Sequence, residues 1–207
     1  VHESKKALVN QREVGEDALT FAEAMRAALR EDPDVVLVGE MRDLETISLA
    51  LTLAETGHLV FGTLHTNDSA QTIDRIIDVF PPEQQSQIRT QFSLTLSAVI
   101  SQRLVKRIGG GRVAAYEVLM GTPGVQALIR EQKVRQIRNA ISTGSQYGMV
   151  LLEQTLGNLV AAGTISMDEA LHASVHPEEI AGLHTGASSN GRTFSGDDDW
   201  AAPMTAG

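Results

Sequence analysis

Cysteine is absent from the sequence, which excludes disulfides and thiolate zinc sites. Long apolar runs are absent too: none approaches the ~18 residues that span a bilayer as a helix. The opening residues, VHESKKALVNQ, lack the apolar stretch of a signal peptide, and the missing initiator methionine leads us to expect a fragment of a longer protein. A basic excess is missing as well. The net charge of −9 argues against a nucleic-acid binder, which normally carries a basic face; the local basic run RLVKRIGGGR, Arg103 to Arg112, reads as a solvated hairpin end. His2, His172, His176 and His184 show no metal-ligand spacing. Internal repeats are absent, and the phosphate-binding signature G-x-x-x-x-G-K-S/T does not occur.

What is present points to an α/β fold. The 207 residues suit one domain plus a smaller attachment, and 42% hydrophobic residues with 21% charged ones suit a sizeable core. Thr20 and Glu23 form a capping box, after which Phe21, Ala24, Met25, Ala28 and Leu29 line one helix face until Asp32-Pro33 ends it. Val35 to Val38 reads as a strand buried on both faces, as in a parallel sheet. Ile47, Ala50, Leu51 and Ala54 mark a helix that Gly57 stops, and Leu59 to Leu64 reads as a second buried strand. Strand, helix, strand is a βαβ unit, so both strands end on the same edge of the sheet.

Ile73, Ile76, Ile77 and Phe80 line a third helix, broken at Pro81-Pro82. Residues 83 to about 101 read as a longer helix with Ile88, Phe92, Leu96 and Val99 inward. RLVKRI and RVAAYEVLM, joined through Gly109 to Gly111, read as an antiparallel hairpin. Thr122-Pro123 opens a run of short helices, lined by Val134, Ile137 and Ile141, then by Leu152, Leu156, Leu159 and Val160. We expect three segments: an α/β part over 1–121, a small helical domain over 122–183, and a disordered tail over 184–207, rich in small and polar residues. Trp200 beside Asp197 to Asp199 leaves a docking peptide open within that tail.

VVLVGEMRD, Val35 to Asp43, carries the main chemical candidate. In open α/β sheets, ligands bind beyond the carboxyl ends of the strands, and Glu40 follows such an end. A carboxylate there can accept a hydrogen bond from water and aim it at phosphorus, in a reaction that needs mainly positioning and charge neutralisation. A helix N-terminal acid is the other reading. His65 ends the second strand, where an imidazole can donate to a phosphate oxygen or rest on a backbone carbonyl. Arg42 can bind phosphate bidentately or stand as an exposed ion; Asp43 suits an N-cap. Gly57-His58 is explained by a helix stop and strand start, and Met25, Met41 and Met149 by packing.

The stretch from Leu29 to Pro81, with VVLVGEMRD as an atypical Walker B and GHLVFGTLHTNDSA as a His box, resembles the type II/IV secretion ATPases. RIGGGRVAAYEVLMGTPGVQALIRE resembles the segment leading to the AIRNLIRE-type motif of the pilus-retraction branch, and reads GVQALIRE here, with departures at several positions. The resemblance covers about residues 1 to 180. It implies a RecA-like P-loop NTPase core with an incomplete, mostly parallel sheet, an antiparallel hairpin and a small C-terminal helical domain, working as a homo-hexameric ring.

The resemblance also implies an ATPase using ATP and Mg²⁺ to drive type IV pilus retraction and twitching motility. Such an enzyme sits at the cytoplasmic face of the inner membrane, peripheral to it, against a membrane platform protein and the pilus machinery, with no nucleic acid as partner. It makes Glu40 the acid that polarises the attacking water and His65 a γ-phosphate contact, with Gly39, Arg42, Thr63 and Thr66 at the nucleotide. Gly39 stands where many P-loop enzymes have an Mg²⁺-linked Asp, so the metal is held through the nucleotide. Val125, Leu128, Ile129, Arg130 and Glu131 become the motor motif, with apolar surface on the first three; core packing is the other reading of that helix.

A four-cysteine zinc module, usual in pilus-assembly and type II secretion ATPases, cannot form here, which favours retraction. Pilus-assembly, type II secretion and conjugation-type secretion ATPases and a truncated, non-enzymatic ring partner are the alternatives. The resemblance puts the phosphate loop upstream of Val1, on a strand that would pair with Leu59 to Leu64. That leaves an open apolar edge, an aggregation hazard. These 207 residues alone are expected to be poorly soluble and to bind ATP weakly or not at all; tight binding in a nucleotide titration would refute this.

Overall fold

The structure, a computed structural model, describes residues 3–180. The expected tail over 184–207, with Trp200 and Asp197 to Asp199, and the residues His2 and His184 lie outside the described residues. The chain divides into two compact units, Val1–Gln102 with Tyr116–Leu151 and Arg103–Ala115 with Leu152–Gly207.

The first unit begins with α1 (Phe21–Ala28), capped by Thr20, whose side chain accepts from Glu23 N. Strand β1 (Val35–Val38), helix α2 (Leu44–Glu55) and strand β2 (Leu59–Gly62) follow, and the two strands pair in parallel, Val35 opposite Leu59 and Val38 opposite Gly62. Asp43 caps α2, accepting from Thr46 N at 2.9 Å and Thr46 Oγ1 at 2.8 Å. Gly57, at φ +99, closes it with the left-handed turn that favours glycine. The expected βαβ unit is therefore present.

Its strands differ from expectation in one respect. Val36, Val38 and Val60 face Met25, Ala50 and Leu53 of α1 and α2, but Leu37 and Phe61 are 64% and 52% exposed, and Val35 and Leu59 lie open beside them. The sheet is thus buried on one face, because α1 and α2 cover one side and no described element covers the other. Helix α1 keeps most of its expected face, with Met25 buried, Ala24 and Ala28 half-buried and Leu29 packed on the same cluster, but Phe21 is exposed and Ala22 is buried in its place.

Helices α3 (Ser69–Asp78) and α4 (Pro82–Thr95) come next. The expected helix to about residue 101 ends earlier, since Leu96 turns extended and β3 (Ala98–Lys106) begins. Gly121 permits this bend: a Cβ there would stand 1.9 Å from the Leu96 carbonyl oxygen. Val99 is buried as expected, from the strand rather than from a helix. Strand β3 pairs with β4 (Arg112–Met120), and the connection uses three glycines of positive φ, Gly109 to Gly111.

Helix α5 (Pro123–Arg130) starts on the Thr122 cap with Pro at its first turn. It is followed by a 3-10 turn at Val134–Gln136 and by α6 (Ile137–Thr143). Val125, Ile129, Ile137 and Ile141 are buried in one cluster with Ile73, Ile77, Phe80 and Phe92. Two expectations change for that reason. The division does not fall at 121/122, because α5 and α6 share the core of the first unit. Val125 and Ile129 are core residues, not a surface patch; Leu128 is half-buried against the same cluster, and Arg130 and Glu131 are exposed.

The second unit holds α7 (Leu152–Ala161), α8 (Met167–Ala173) and the hairpin residues 103–115. Val105, Ala115, Leu156, Ile165 and Ile180 form its core. Buried Glu153 accepts from Ser174 Oγ at 2.8 Å and His176 N at 3.2 Å. Lys106 N donates to Glu169 at 2.8 Å and Arg103 to the Ala173 carbonyl at 2.8 Å. No described helix is long and apolar enough to cross a membrane.

Replacing Ile129 with Ala deletes a fully buried side chain and is expected to destabilise the fold by about 2–5 kcal/mol, read as a lower urea midpoint. An unchanged midpoint would return this helix face to the surface.

Candidate functional site

The site begins where β1 and β2 end level. Beyond Val38 and Gly62 the two loops are tied: Met41 N donates to the Thr63 carbonyl at 3.0 Å, and Thr63 Oγ1 donates to the Gly39 carbonyl. Met41 lies across Gly62, whose missing Cβ leaves room for the thioether. These contacts fix the backbone on both sides of Glu40.

Glu40 then meets both neighbours named from the sequence. Its Oε1 accepts from Arg42 Nε and stands 3.1 Å from His65 Nε2. The Glu40 side chain is 21% exposed, while Arg42 and His65 are 70% and 79% exposed. An ionised carboxylate only accepts, so the proton of the His65 bond sits on Nε2. Hydrogen bonding from Arg42 holds the Glu40 carboxyl below the usual carboxylate range, with the charges of Arg42 and His65 adding to it; the same bond raises Arg42.

The sign follows for pH. A carboxylate whose folded value is depressed adds stability above its ordinary value, and that contribution disappears as pH falls through the folded value. Glu40 therefore stays ionised across the neutral range, as an acceptor for water must.

Gly39, Glu40, Arg42, Thr63 and His65 are thus brought together at one edge. Thr66 lines the adjoining cleft, with its hydroxyl bonded to Thr72 Oγ1 of α3 at 2.7 Å. Val125, Leu128 and Ile129 pack in the core, Arg130 reaches Ser93 Oγ at 3.4 Å, and Glu131 pairs with Lys133 at 2.7 Å. Two concavities border the site. A polar cleft of about 440 Å³ is lined by Leu64 to Asn67 and Ile100 to Gln102. A mostly apolar groove of about 680 Å³ runs along β2 and Ala98 to Ile100.

Sequence reading missed Ser101 and Gln102 of the cleft, and buried Glu117 of β4, which accepts from Ser69 N at 2.8 Å. One signal was available for the last: a lone acid in the apolar run RVAAYEVLM. No group of three His, Asp or Glu side chains among the described residues is placed to hold a metal. The residues present do not by themselves fit Mg²⁺.

The profile of the type II/IV secretion system protein family matches residues 3–110. The chain is 61% identical over 180 residues to the type IV pilus retraction ATPase PilT of Pseudomonas aeruginosa, covering 87% of this chain and 52% of that protein. It is 53% identical over 182 residues to a twitching motility protein of Neisseria gonorrhoeae, covering 87% and 49%. The crystal structure of the pilus retraction motor PilT with bound ADP superposes with a TM-score of 0.78 at 54% identity, covering 86% of this chain and 50% of that one. The chain spans about half the length of these relatives, and their likeness carries the RecA-like α/β core.

Arg42→Ala is expected to raise the Glu40 titration toward the ordinary glutamate range, because it removes the main cause of the depression. The side-chain carboxyl ¹³C shift, followed through acid pH, reads this directly. An unmoved midpoint would mean that Arg42 does not hold the carboxylate.

Proposed function

The chain belongs to the type II/IV secretion system protein family, and on that premise we propose that it supplies the water-activating half of the nucleotide site in an ATP-hydrolysing motor of type IV pilus retraction. One observation carries this reading. Glu40 and His65 share a hydrogen-bond contact of 3.1 Å at the carboxyl edge of a parallel pair, where α/β sheets bind ligands.

The geometry suggests a division of labour. Arg42 and His65 both use Oε1 of Glu40, which leaves Oε2 to accept from the attacking water and aim it in line with the terminal phosphorus. Arg42 keeps its terminal N–H groups beside that position as donors for the phosphate oxygens, and His65 would turn its Nε2–H from Glu40 to the terminal phosphate when nucleotide binds. Little covalent chemistry is asked of the protein, since phosphoryl transfer is served chiefly by positioning and electrostatics. Thr63 and Gly39 keep the carboxylate's loop in register through their mutual bond. Thr66 acts at one remove, by holding the His65 loop on α3.

The phosphate-binding loop belongs, in this reading, to a part of the protein other than these residues. The groove beside β2 supports that placement: one edge of β2 is unpaired among the described residues, and Ala98 to Ile100 form the facing wall. An added strand would pair with β2 and bring its loop to the Glu40 edge. The bound nucleotide would carry Mg²⁺ into the site. The retraction direction is supported by the likeness to the pilus retraction ATPase and to the retraction motor structure and by the absence of cysteine. A hexameric ring at the cytoplasmic face of the inner membrane, acting on a membrane platform, completes the proposal. In it Arg130 and Glu131 are the exposed charged members of GVQALIRE that would meet a partner.

Glu40→Gln in the full-length protein keeps the size and removes the charge. Turnover is expected to fall at least about tenfold, or ~1.4 kcal/mol of barrier, with nucleotide still bound. Turnover retained within a factor of two or so would remove Glu40 from the water-positioning role.

A further inference from the structure

Helix α3 begins at Ser69, four residues after His65, and its first turn has two acidic partners. The opening N–H groups of any helix lack partners within it. Asp68 caps Gln71 N at 2.8 Å and, through its carbonyl, Thr72 N at 3.1 Å. Ser69 is fully buried, so water cannot serve its N–H. The partner comes from far along the chain: Glu117 Oε1, from β4, at 2.8 Å. Glu117 is itself only 5% exposed, and a buried acid needs such a donor.

We propose that Glu117 is a positioning residue for His65, acting through the start of α3. The inference rests on the reading of His65 given above. The path is short and bonded at each step. Glu117 fixes Ser69; α3 then holds the loop through the Thr72 to Thr66 hydroxyl bond at 2.7 Å and through the Gln71 side chain, which accepts from Asn67 N at 3.4 Å. Leu64, on the other side of His65, packs against the core. The imidazole, largely in solvent, meets the Glu40 carboxylate as its one polar partner among the described residues. Its place therefore depends on how its loop is held. Ser69 Oγ has no hydrogen-bond partner, so the serine contributes through its backbone and its hydroxyl is dispensable.

A double-mutant cycle in the full-length protein tests this. Glu117→Ala is expected to lower kcat about fivefold or more with KM for ATP little changed, and to cost nothing further in a His65→Ala background, since both changes remove one function. Glu117→Gln keeps the acceptor and is expected to recover most of the turnover. Deuterium uptake over residues 64–72 should quicken in Glu117→Ala and stay unchanged in Ser69→Ala. Effects that multiply in the double variant, or unaltered uptake in Glu117→Ala, would overturn the inference. If His65→Ala itself keeps full turnover, the catalytic reading of His65 fails, and the uptake alone decides the anchoring: faster exchange upholds it and unchanged exchange overturns it. Where Glu117→Ala does not fold, Glu117→Asp, too short by one methylene, takes its place in both measurements.

Discussion

Two strands of four residues carry the site only because they end level. Val38 lies opposite Gly62, so the loops that follow leave the sheet side by side. They are then tied by Met41 N to the Thr63 carbonyl and by Thr63 Oγ1 to the Gly39 carbonyl. A slip of one residue would turn every side chain of the slipped strand to the other face. It would also offset Glu40 from His65 by about 3.3 Å along the strand direction. The register is held from one side, by Val36, Val38 and Val60 against α1 and α2. A one-sided core thus sets a two-residue contact on its margin.

Local chemistry was the most legible part of the sequence. The Thr20, Asp43 and Thr122-Pro123 caps each stand where their residue types place them, because a cap is decided within four residues. Glu40 and His65 were legible for a related reason: strand ends fix position along the sheet edge without knowledge of the rest. Decisions taken at long range were not legible. Val35, Leu37, Leu59 and Phe61 look like interior residues in any window, and only the absence of a described covering element leaves them open. Val99 looks helical after Leu96, until Gly121 admits the Leu96 carbonyl and the chain turns to strand. GVQALIRE looked equally like surface or core, and the cluster around Ile73 and Phe92 decided for core at Val125 and Ile129.

Burial and partners set Glu117 and Glu153 apart from Glu40. Glu117 and Glu153 are nearly inaccessible, and each accepts from backbone N–H groups at the start of a segment. That is the burial a carboxylate tolerates, because fixed donors replace water. Glu40 differs in kind. It is partly open, and its donors are two long, exposed side chains that can leave. A carboxylate held by backbone amides cannot release an oxygen to a water without losing a buried bond. One held by Arg42 and His65 can.

The same exposure argues against reading the Glu40 cluster as a stabilising ion pair. Exposed pairs contribute about 0–1 kcal/mol, and holding an arginine and a histidine on one oxygen costs side-chain freedom. As a stabiliser the arrangement is poor. Its worth changes if water is excluded, since the interaction of two charges at fixed distance grows roughly fourfold when the effective dielectric falls from that of water to that near a protein surface. Closure from the open side, with a strand seated in the groove beside β2 and phosphates beside His65, would turn a weak surface cluster into a strong one. The site is then strong only when occupied and enclosed, the condition that the proposed hydrolysis would require.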